Sequence, residues 1–388
     1  MRYLRTTTGG RLDARADTVA RFGERDQEQG CRVGHEVAEG RRLADGQERG
    51  HQRGRGPEGY AGRRSDGLNS GDTVTSVPLV NCVAIVPAWR NAGTIVSTLR
   101  SLLVQQPLSP RRVIVVVSPG DDTACRARSI AGVEVVEVAE RLLAGTARNL
   151  GRGMAGDVDQ LLFVDADCTL ESGALCELQI AMQGQDLVAA GAGIDRDNHG
   201  LVSWLRHSLE FKELDRGAPV SECGPLASAA LLCRAEAFDR AGGFPDAWPG
   251  EDTALLHSLR ATGGRARLVP SARARHRHPA GLARALRHQW LLGAGSARAR
   301  LSADMPGSRF ARNPLLGLLL FPGRVGRGLV WFLRYRRSEL PLFLIAGPLY
   351  ICGVAVWTIG FVATSWRESP GRGGRVFFDG VDSGRTSK

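Results

Sequence analysis

The first regular pattern of apolar residues begins near residue 80, where short apolar runs alternate with helical stretches. Nearly uninterrupted apolar runs are typical of strands that are buried on both faces of a parallel sheet. Four strands are predicted on this basis, at residues 82–86, 113–117, 133–138 and 161–164. The third is expected at a sheet edge. Ile95, Leu99 and Leu102 recur at helical spacing and predict an amphipathic helix after the first strand. Strands that alternate with helices predict an α/β fold with a doubly wound, mostly parallel sheet.

The pattern is weaker between residue 187 and about residue 300. Two short apolar runs predict strands at residues 187–193 and 229–233. Pro87 is expected to end the first strand, because proline cannot donate to a sheet ladder. Helices are predicted at residues 141–155, 201–214, 251–261 and 282–300. Gly263 is expected to form the C-terminal cap of the third of these helices.

Residues 340–363 form an uncharged apolar stretch that is long enough to cross a bilayer core of about 30 Å. Arginines stand on both sides of it. A buried core helix is the alternative, but the position of this stretch after the predicted α/β region favours a membrane span. The shorter apolar run at residues 315–321 stops at Pro322 and is too short to span alone, so we expect an interfacial or re-entrant segment there.

These patterns divide the chain into four parts. Residues 1–78 are rich in glycine and arginine and poor in apolar residues, so they cannot bury enough surface to offset the entropy of ordering. We expect them to be disordered. An α/β domain is expected at residues 79–300, a membrane-associated helical region at 301–366 and a disordered tail at 367–388.

The chain is basic, with 51 Lys and Arg against 40 Asp and Glu, and its formal net charge is +11. This excess favours anionic partners, which include acidic lipids, phosphorylated small molecules and nucleic acid. Aromatic residues are not interleaved with the basic ones as they are on base-stacking surfaces, so nucleic acid is not expected as a partner. The arginines between residues 298 and 337 favour anionic lipid headgroups.

The strongest candidate for chemistry is Asp165-Ala166-Asp167, which directly follows the predicted strand at residues 161–164. Ligands of doubly wound sheets bind beyond the carboxyl ends of the strands. Two carboxylates at such a place need a counter-charge, which a divalent cation that also binds a diphosphate can supply. An ordinary acidic turn or a helix cap is the alternative.

Glu251 and Asp252 follow Gly250 at the start of a predicted helix. A carboxylate there could be the general base that deprotonates an acceptor hydroxyl. The alternative is that both acids only favour the helix N-terminus, where negative charge is stabilised. The loop at residues 87–91, with Pro87, Trp89 and Asn91, would line a nucleotide crevice or form a simple strand-to-helix turn.

Two basic groups complete the candidates. Arg148 lies in the predicted helix before the fourth strand, where it could bind phosphate or lie on a solvated face. His276 lies in the segment Arg275-His276-Arg277-His278. Its imidazole could bind a metal ion, or the segment could be a basic surface loop.

In this order, these segments resemble family 2 of the GT-A glycosyltransferases over roughly residues 80 to 300. The segments that carry the resemblance are residues 83–91, 113–122, 147–151, 165–167, 241–244 and 250–252, together with His276. The resemblance implies inverting transfer of a sugar from a nucleotide-sugar donor to a hydroxyl, with Mg²⁺ or Mn²⁺. We expect a lipid-linked or cell-envelope glycan as acceptor, and a catalytic domain on the cytoplasmic side of the cell membrane.

The resemblance also implies roles for individual residues. Asp165 would contact the ribose and the metal region, and Asp167 would bind the metal ion that bridges the diphosphate, with His276 as a further ligand. Asp252 would accept the proton of the acceptor, while Glu251 would position the acceptor or the base. The donor nucleotide would be held by Pro87, Trp89, Asn91, Asp122, Arg148 and Asp165.

The sequence departs from the family pattern in two places. Family members usually carry an acidic residue directly after the second strand to recognise the base, whereas Ser118 follows here and the acids come later, as Asp121 and Asp122. The choice among UDP-, GDP- and dTDP-sugars therefore stays open. Processive synthases carry Gln-x-x-Arg-Trp, but residues 288–290 read His-Gln-Trp, which favours an enzyme that adds a single sugar.

Two other classes of protein share features with this sequence. A non-catalytic relative that binds a nucleotide sugar and scaffolds a pathway would fit the missing acid near Ser118, although the retained Asp165, Asp167 and Asp252 count against it. A nicotinamide-dependent oxidoreductase could use a similar sheet. However, no Gly-x-Gly-x-x-Gly follows the first strand, so this class is far less favoured.

Overall fold

The computed structural model describes residues 81–183, 187–215, 217–222, 224–246, 249–302 and 305–368. The disorder predicted for residues 1–78 and for the tail beyond residue 368 therefore lies outside the described residues. Within them, eight strands form one sheet. The strands are β1 (Cys82–Trp89), β2 (Arg112–Ser118), β3 (Val133–Glu137), β4 (Gln160–Val164), β5 (Cys168–Leu170), β6 (Leu187–Arg196), β7 (Ala230–Arg234) and β8 (Arg265–His276).

Helices cover the sheet and continue beyond it at the C-terminal end. Those up to β8 are α1 (Ile95–Leu103), α2 (Thr123–Arg128), α3 (Ala144–Ala155), α4 (Ala174–Ala181), α5 (Leu201–Glu210), α6 (Ala235–Arg240) and α7 (Glu251–Ala261). Those after β8 are α8 (Leu282–Ser302), α9 (Ser308–Arg312), α10 (Pro314–Gly317), α11 (Leu320–Tyr335), α12 (Leu340–Ile345) and α13 (Gly347–Glu368), with a 3₁₀ turn at Arg337–Glu339 before α12.

The strand order is β3-β2-β1-β4-β7-β6-β8-β5, so the chain reverses its direction of growth between β1 and β4. β1 runs parallel to β2 and β4, and the pairs β2–β3 and β6–β8 are also parallel. β7 is antiparallel to both of its neighbours, and β5 is antiparallel to β8. The predicted α/β class with a mostly parallel sheet is thus confirmed. A ligand crevice is expected where β1 and β4 end side by side.

The four strands predicted from apolar runs are all present, and β3 lies at the predicted edge. Ile85, Ile114 and Phe163 on the three central strands are fully buried. Helix α1 buries the predicted stripe of Ile95, Leu99 and Leu102 against this sheet. Burial of apolar surface on both faces of the sheet explains why these runs contain no polar residues.

One sequence-based expectation for the sheet was wrong, and one alternative for the segment around His276 is excluded. Pro87 does not end β1, which continues to Trp89. Pairing of β1 with β4 stops at Ile85, so only β2 flanks the strand at Pro87 and the missing N–H is tolerated. The segment around His276 is not a loop but the end of β8, a twelve-residue strand that the sequence reading missed.

The two C-terminal apolar segments also differ from expectation. The stretch at residues 340–363 is not one helix, because α12 ends at Ile345 and α13 begins at Gly347. Pro348 has no N–H to donate to the carbonyl four residues earlier, which favours a break in the helical hydrogen bonds at Ala346 and is tolerated in the first turn of α13. Pro322 lies in the first turn of α11, where proline is tolerated, and does not stop the earlier segment. Pro314–Tyr335 and Gly347–Glu368 are each 22 residues long and apolar enough to cross a membrane, by length and composition.

Helix α13 packs closely against α8 through glycines. A Cβ at Gly293 of α8 would lie 2.0 Å from the backbone oxygen of Trp357, and one at Gly360 of α13 would lie 2.3 Å from that of Trp290. The same helix meets α5 where Gly353 contacts Leu209. Half of the most apolar window of α13 is consequently buried inside the protein.

Candidate active site

The turn that follows β1 presents Trp89 and Asn91 at the end of the strand. Asn91 Oδ1 accepts a hydrogen bond from the Trp89 amide at 2.9 Å, and the Asn91 amide donates to Thr123 Oγ1 at 2.8 Å. Arg90 between them has a φ of 58°, an uncommon backbone conformation for a residue with a side chain. The guanidinium of Arg141 lies 3.4 Å from the centroid of the Trp89 ring and covers its face.

The turn Asp165-Ala166-Asp167 after β4 is fixed from three sides. The Asp165 amide donates to the Ala229 carbonyl at 3.2 Å, and Thr98 Oγ1 donates to the Ala166 carbonyl at 3.0 Å. The Arg277 amide donates to the Asp167 carbonyl at 2.9 Å. Contacts of the backbone with other elements therefore hold the two aspartates in place, and none of these contacts uses a carboxylate oxygen.

Arg148 is the buried centre of the acidic groups. Its side chain is 2% exposed; Nη2 lies 2.6 Å from Asp165 Oδ1, and Nη1 lies 3.4 Å from Glu251 Oε1. Burial opposes its charge, but the nearby carboxylates of Asp165, Asp252 and Glu251 raise the pKa of Arg148 above its ordinary value. The guanidinium of Arg148 thus binds the carboxylates of Asp165 and Glu251, whereas the sequence suggested that it could bind phosphate.

Glu251 and Asp252 open helix α7 side by side. Burial, with the adjacent Asp252 charge, raises the pKa of Glu251 to about 7, although Arg148 counteracts the shift. Burial also raises the pKa of Asp252, and a hydrogen bond from Ser228 Oγ to Asp252 Oδ1 at 2.5 Å opposes that shift. Both carboxyl groups thus titrate closer to neutral pH than exposed acids do, as proton-transferring groups commonly do.

A donor set for a metal ion forms where β5 pairs with β8. The register places Cys168 opposite His276, and His276 Nε2 lies 3.4 Å from Asp167 Oδ1. Oxygen, sulfur and nitrogen atoms of Asp167, Cys168 and His276 lie within 4.8 Å of one another. His276 Nδ1 is buried and has no hydrogen-bond partner among the described residues. A carboxylate and an imidazole at this place fit a divalent cation such as Mn²⁺.

Cys168 is the weakest member of this donor set. Burial raises the pKa of its thiol well above the ordinary value, with the Asp167 and Asp165 charges adding to the shift. The thiolate is the form that binds metal ions. Asp167 and His276 therefore remain as the side chains best suited to an oxygen-loving cation.

A cavity of about 310 Å³ opens beside these groups, at the carboxyl ends of β1 and β4. It brings together most of the residues that the sequence singled out: Pro87, Trp89, Asn91, Arg148, Asp165, Asp167 and Glu251 line it. Asp252 lies one residue beyond the lining, next to Ser228, and His276 lies behind Asp167. Asp122 is exposed at the start of α2 and is not part of the lining.

Three further residues of the site were missed by the sequence reading. Arg141 and Ser118 line the cavity, and Ser228 binds Asp252. Ser118 is buried, and its hydroxyl accepts a hydrogen bond from the Leu142 amide at 3.0 Å. The sequence positions of Ser118 and Ser228 could have marked them as candidates, because both lie at strand ends. Ser118 ends β2, and Ser228 lies two residues before β7. Nothing in the sequence indicated Arg141, whose place depends on the fold of the β3–α3 connection.

Comparison with known proteins places this fold and site in a family. Residues 81–290 match the model of the family described as glycosyltransferase like family 2. This range includes the whole sheet, the cavity and all of the acidic groups described above. The chain belongs to the family 2 glycosyltransferases, and its fold is of the GT-A type.

Individual relatives agree with this assignment. The chain is 31% identical over 211 residues to the pre-mycofactocin glycosyltransferase of two Mycobacterium tuberculosis strains, CDC 1551 and H37Rv. The match covers 50% of this chain and 42% of the relative, so the chain spans less than half of the relative's length. The mannosyltransferase PcManGT from Pyrobaculum calidifontis, solved with GDP-Man and Mn²⁺, has a similar fold, with a TM-score of 0.54 at 18% identity, over 75% of this chain and 88% of that one.

Proposed function

We propose that this protein transfers a sugar from a nucleotide-sugar donor to a hydroxyl group of an acceptor, with inversion at the anomeric carbon. The observation that carries the proposal is the shared cavity, which is lined by Trp89, Asn91, Asp165, Asp167 and Glu251, with Asp252 directly after Glu251. An aromatic face, a metal-binding pair and a base are the groups that such a transfer needs.

The donor would lie along the ends of β1 and β4. The volume of about 310 Å³ falls at the lower end of the range for small-molecule sites. Asp167 and His276 would hold a divalent cation, which, when bound, offsets the negative charge of the departing diphosphate. The structure of PcManGT with GDP-Man and Mn²⁺ supports a cation and a nucleotide sugar in general, and not a particular sugar or base.

Asp252 is proposed to be the general base. Its carboxylate would take the proton of the acceptor hydroxyl while the oxygen attacks the anomeric carbon from the face opposite the diphosphate, which inverts the configuration. Ser228 and Arg148 favour the ionised, proton-accepting form of Asp252. Glu251, which Arg148 also contacts, would fix the base and the acceptor in place.

The acceptor is proposed to be a lipid-linked or cell-envelope glycan, and the site of action the cytoplasmic face of the cell membrane. Support comes from the two C-terminal apolar helices, which follow the catalytic domain without a long linker. Arg309, Arg312, Arg334 and Arg337 are exposed, and no acidic residue lies between residues 305 and 338, which favours an anionic membrane surface.

The test of the proposal is a pair of variants at the start of α7. Asp252→Asn should lower the transfer rate by about 10²–10⁴-fold while donor affinity stays nearly unchanged, because the lost group acts on the acceptor proton. Glu251→Gln is the matched control, and it should keep measurable transfer. Loss of donor binding together with transfer in Asp252→Asn, or full loss only in Glu251→Gln, would show that Asp252 is not the base.

Donor binding itself is measured by thermal shift in detergent, with UDP-, GDP- and dTDP-sugars and with Mn²⁺ or EDTA. Binding to the native state raises the melting temperature by mass action. A shift that depends on Mn²⁺ and is lost in Asp167→Ala would support both donor and cation. A metal-dependent shift without transfer to any acceptor would favour the alternative function, which is a non-catalytic scaffold that binds a nucleotide sugar. The serine at position 118, where family members usually carry an acid, is compatible with that alternative.

A further inference from the structure

The segment Pro314–Tyr335 presents one continuous apolar face to the outside. Leu315, Leu319, Pro322, Gly326, Leu329, Val330 and Leu333 follow one another at helical spacing, and all seven are exposed. Such spacing puts them on a single stripe along α10 and α11. Leu315 is 70% exposed and Val330 is 59% exposed, and the stripe carries no charged residue.

Arginines bind other sides of α11 to the catalytic domain and to α13, and Arg327 among them lies beside the stripe with its side chain 66% exposed. Arg327 Nε lies 2.7 Å from Oε1 of Glu213, in the segment after α5. Arg336, just past the end of α11, lies 3.4 Å from the buried Asp215. The guanidinium of Arg324 lies 3.9 Å from the centroid of the Trp357 ring, which belongs to α13. Helix α11 therefore has an apolar outer stripe, while Phe332 packs into the protein and Arg324 and Arg327 tie the helix to its neighbours.

The contacts of Arg324 and Arg327 decide whether the segment can cross a bilayer or can only lie on it. Arg324 and Arg327 lie near the middle of the 22-residue stretch Pro314–Tyr335. If that stretch crossed the membrane, Glu213 of the catalytic domain would have to enter the bilayer centre with Arg327. Charged groups are costly there, and an element of the catalytic domain with polar backbone would have to follow. Trp357 lies at the middle of α13 and is held by the same arginine, so the argument applies to both candidate spans.

We propose that the apolar stripe of α10 and α11 lies flat in one leaflet of an anionic phospholipid membrane, and that the described residues cross the bilayer nowhere. Exposed arginines stand at both ends of the stripe, Arg309 and Arg312 before it and Arg334 and Arg337 after it. Their positions suit phosphate groups at the surface of the leaflet into which the leucines insert. The proposal rests on the membrane association included in the proposed function and specifies its mode.

A cavity at the N-terminal end of the stripe strengthens the choice of occupant. Arg309 and Arg312 line it together with Ser308, Asn313 and Leu316, and it has a volume of about 660 Å³. Two guanidinium groups beside an exposed leucine match a phospholipid, in which a phosphate is joined to acyl chains. An acidic protein surface would match the arginines but would leave the leucine stripe in contact with polar groups.

The surface is tested with the full-length protein and vesicles of phosphatidylcholine with or without phosphatidylglycerol. Val330→Glu should weaken co-sedimentation with the anionic vesicles by about tenfold or more, since a charge replaces an inserted apolar group. Val104→Glu is the matched control, because Val104 is 61% exposed and lies on the catalytic domain after α1. Arg334→Gln with Arg337→Gln should weaken binding to anionic vesicles only and reduce its salt dependence. Equal binding of Val330→Glu and Val104→Glu would overturn the docking surface.

The mode of association is tested by labelling with a membrane-impermeant maleimide. Ser338 lies between the two candidate spans, and Ser129 lies at the end of α2 in the catalytic domain. In sealed membrane vesicles in which Ser129→Cys is labelled from outside, Ser338→Cys should be labelled to the same extent without detergent. Protection of Ser338→Cys until detergent is added would show that Pro314–Tyr335 spans the bilayer. Donor-induced thermal shifts of the same preparations, measured in detergent, separate a failure of docking from a failure of the proposed transferase function.

Discussion

Arginines occur both around the cavity at the end of β4 and in the C-terminal helices, but their surroundings differ. In the cavity, Arg148 is buried among Asp165, Glu251 and Asp252 and neutralises a cluster of acids. In α11, Arg324 contacts Trp357 and Arg327 pairs with Glu213, while Leu329, Val330 and Leu333 face outward. A buried charge needs a partner, and the acids of the cavity supply it for Arg148. The first region thus gathers its charges in the interior, whereas the second leaves an uncharged apolar side exposed.

The largest expected effect comes from removing the charge at the centre of the cavity. Arg148→Leu should destabilise the protein by about 3–5 kcal/mol at pH 7, because it leaves Asp165, Glu251 and Asp252 without their buried counter-charge. Urea unfolding measures this change. Arg152→Gln is the control on the same helix: Arg152 pairs with the exposed Asp239 at 2.7 Å, and its loss should cost less than about 1 kcal/mol. Similar losses in both variants would mean that Arg148 does not hold the acids together.

A second change breaks the other region, at the contact between α8 and α13. Gly293→Ala should destabilise by about 1–3 kcal/mol, because the added Cβ would lie 2.0 Å from the Trp357 carbonyl oxygen and would push the helices apart. Gly153→Ala in α3 is the matched control. Nothing lies within 4 Å of a Cβ there, so the better helix propensity of alanine should stabilise by about 0.5–1 kcal/mol. Opposite signs in thermal unfolding are the expected result, and equal signs would contradict the close packing.

The smallest effect is a dependence of stability on pH. The pKa of Glu251 is raised by burial to about 7 from 4.5, and that of Asp215, under α11, is raised by burial to about 6 from 3.8. The folded state then holds protons that the unfolded chain releases, so this stability is complete at low pH and is lost as pH rises through the folded-state values. In EDTA and without nucleotide, the free energy of unfolding of the unsubstituted protein should fall between pH 5 and 7. Glu251→Gln should reduce this fall by roughly 1–2 kcal/mol. An unchanged slope would show that Glu251 is ionised throughout.

The sequence was sufficient for the parts of the fold whose residues are buried on both faces. β1, β2 and β4 contain only apolar residues where they cross the core, so their runs were visible without any knowledge of their neighbours. Asp165 and Asp167 followed from their place after such a run. β8 was missed because arginines alternate with small residues along it. Its inner positions, among them Ala272 and Ala274, are buried, while Arg273 and Arg275 pair with Glu171 on the outer side.

The sequence alone determined the resemblance to the family, the first four strands and the acidic residues of the cavity, because these depend on local runs and on residue types at strand ends. Tertiary structure alone decided which charges meet. The pairing of β5 with β8 places His276 beside Asp167, and the packing of α3 turns Arg148 towards Asp165 and Glu251. Tertiary structure also decided that Arg327, in the middle of the apolar segment Pro314–Tyr335, pairs with Glu213. Such contacts join residues far apart in the chain, and their energies depend on distance and burial, which no local pattern contains.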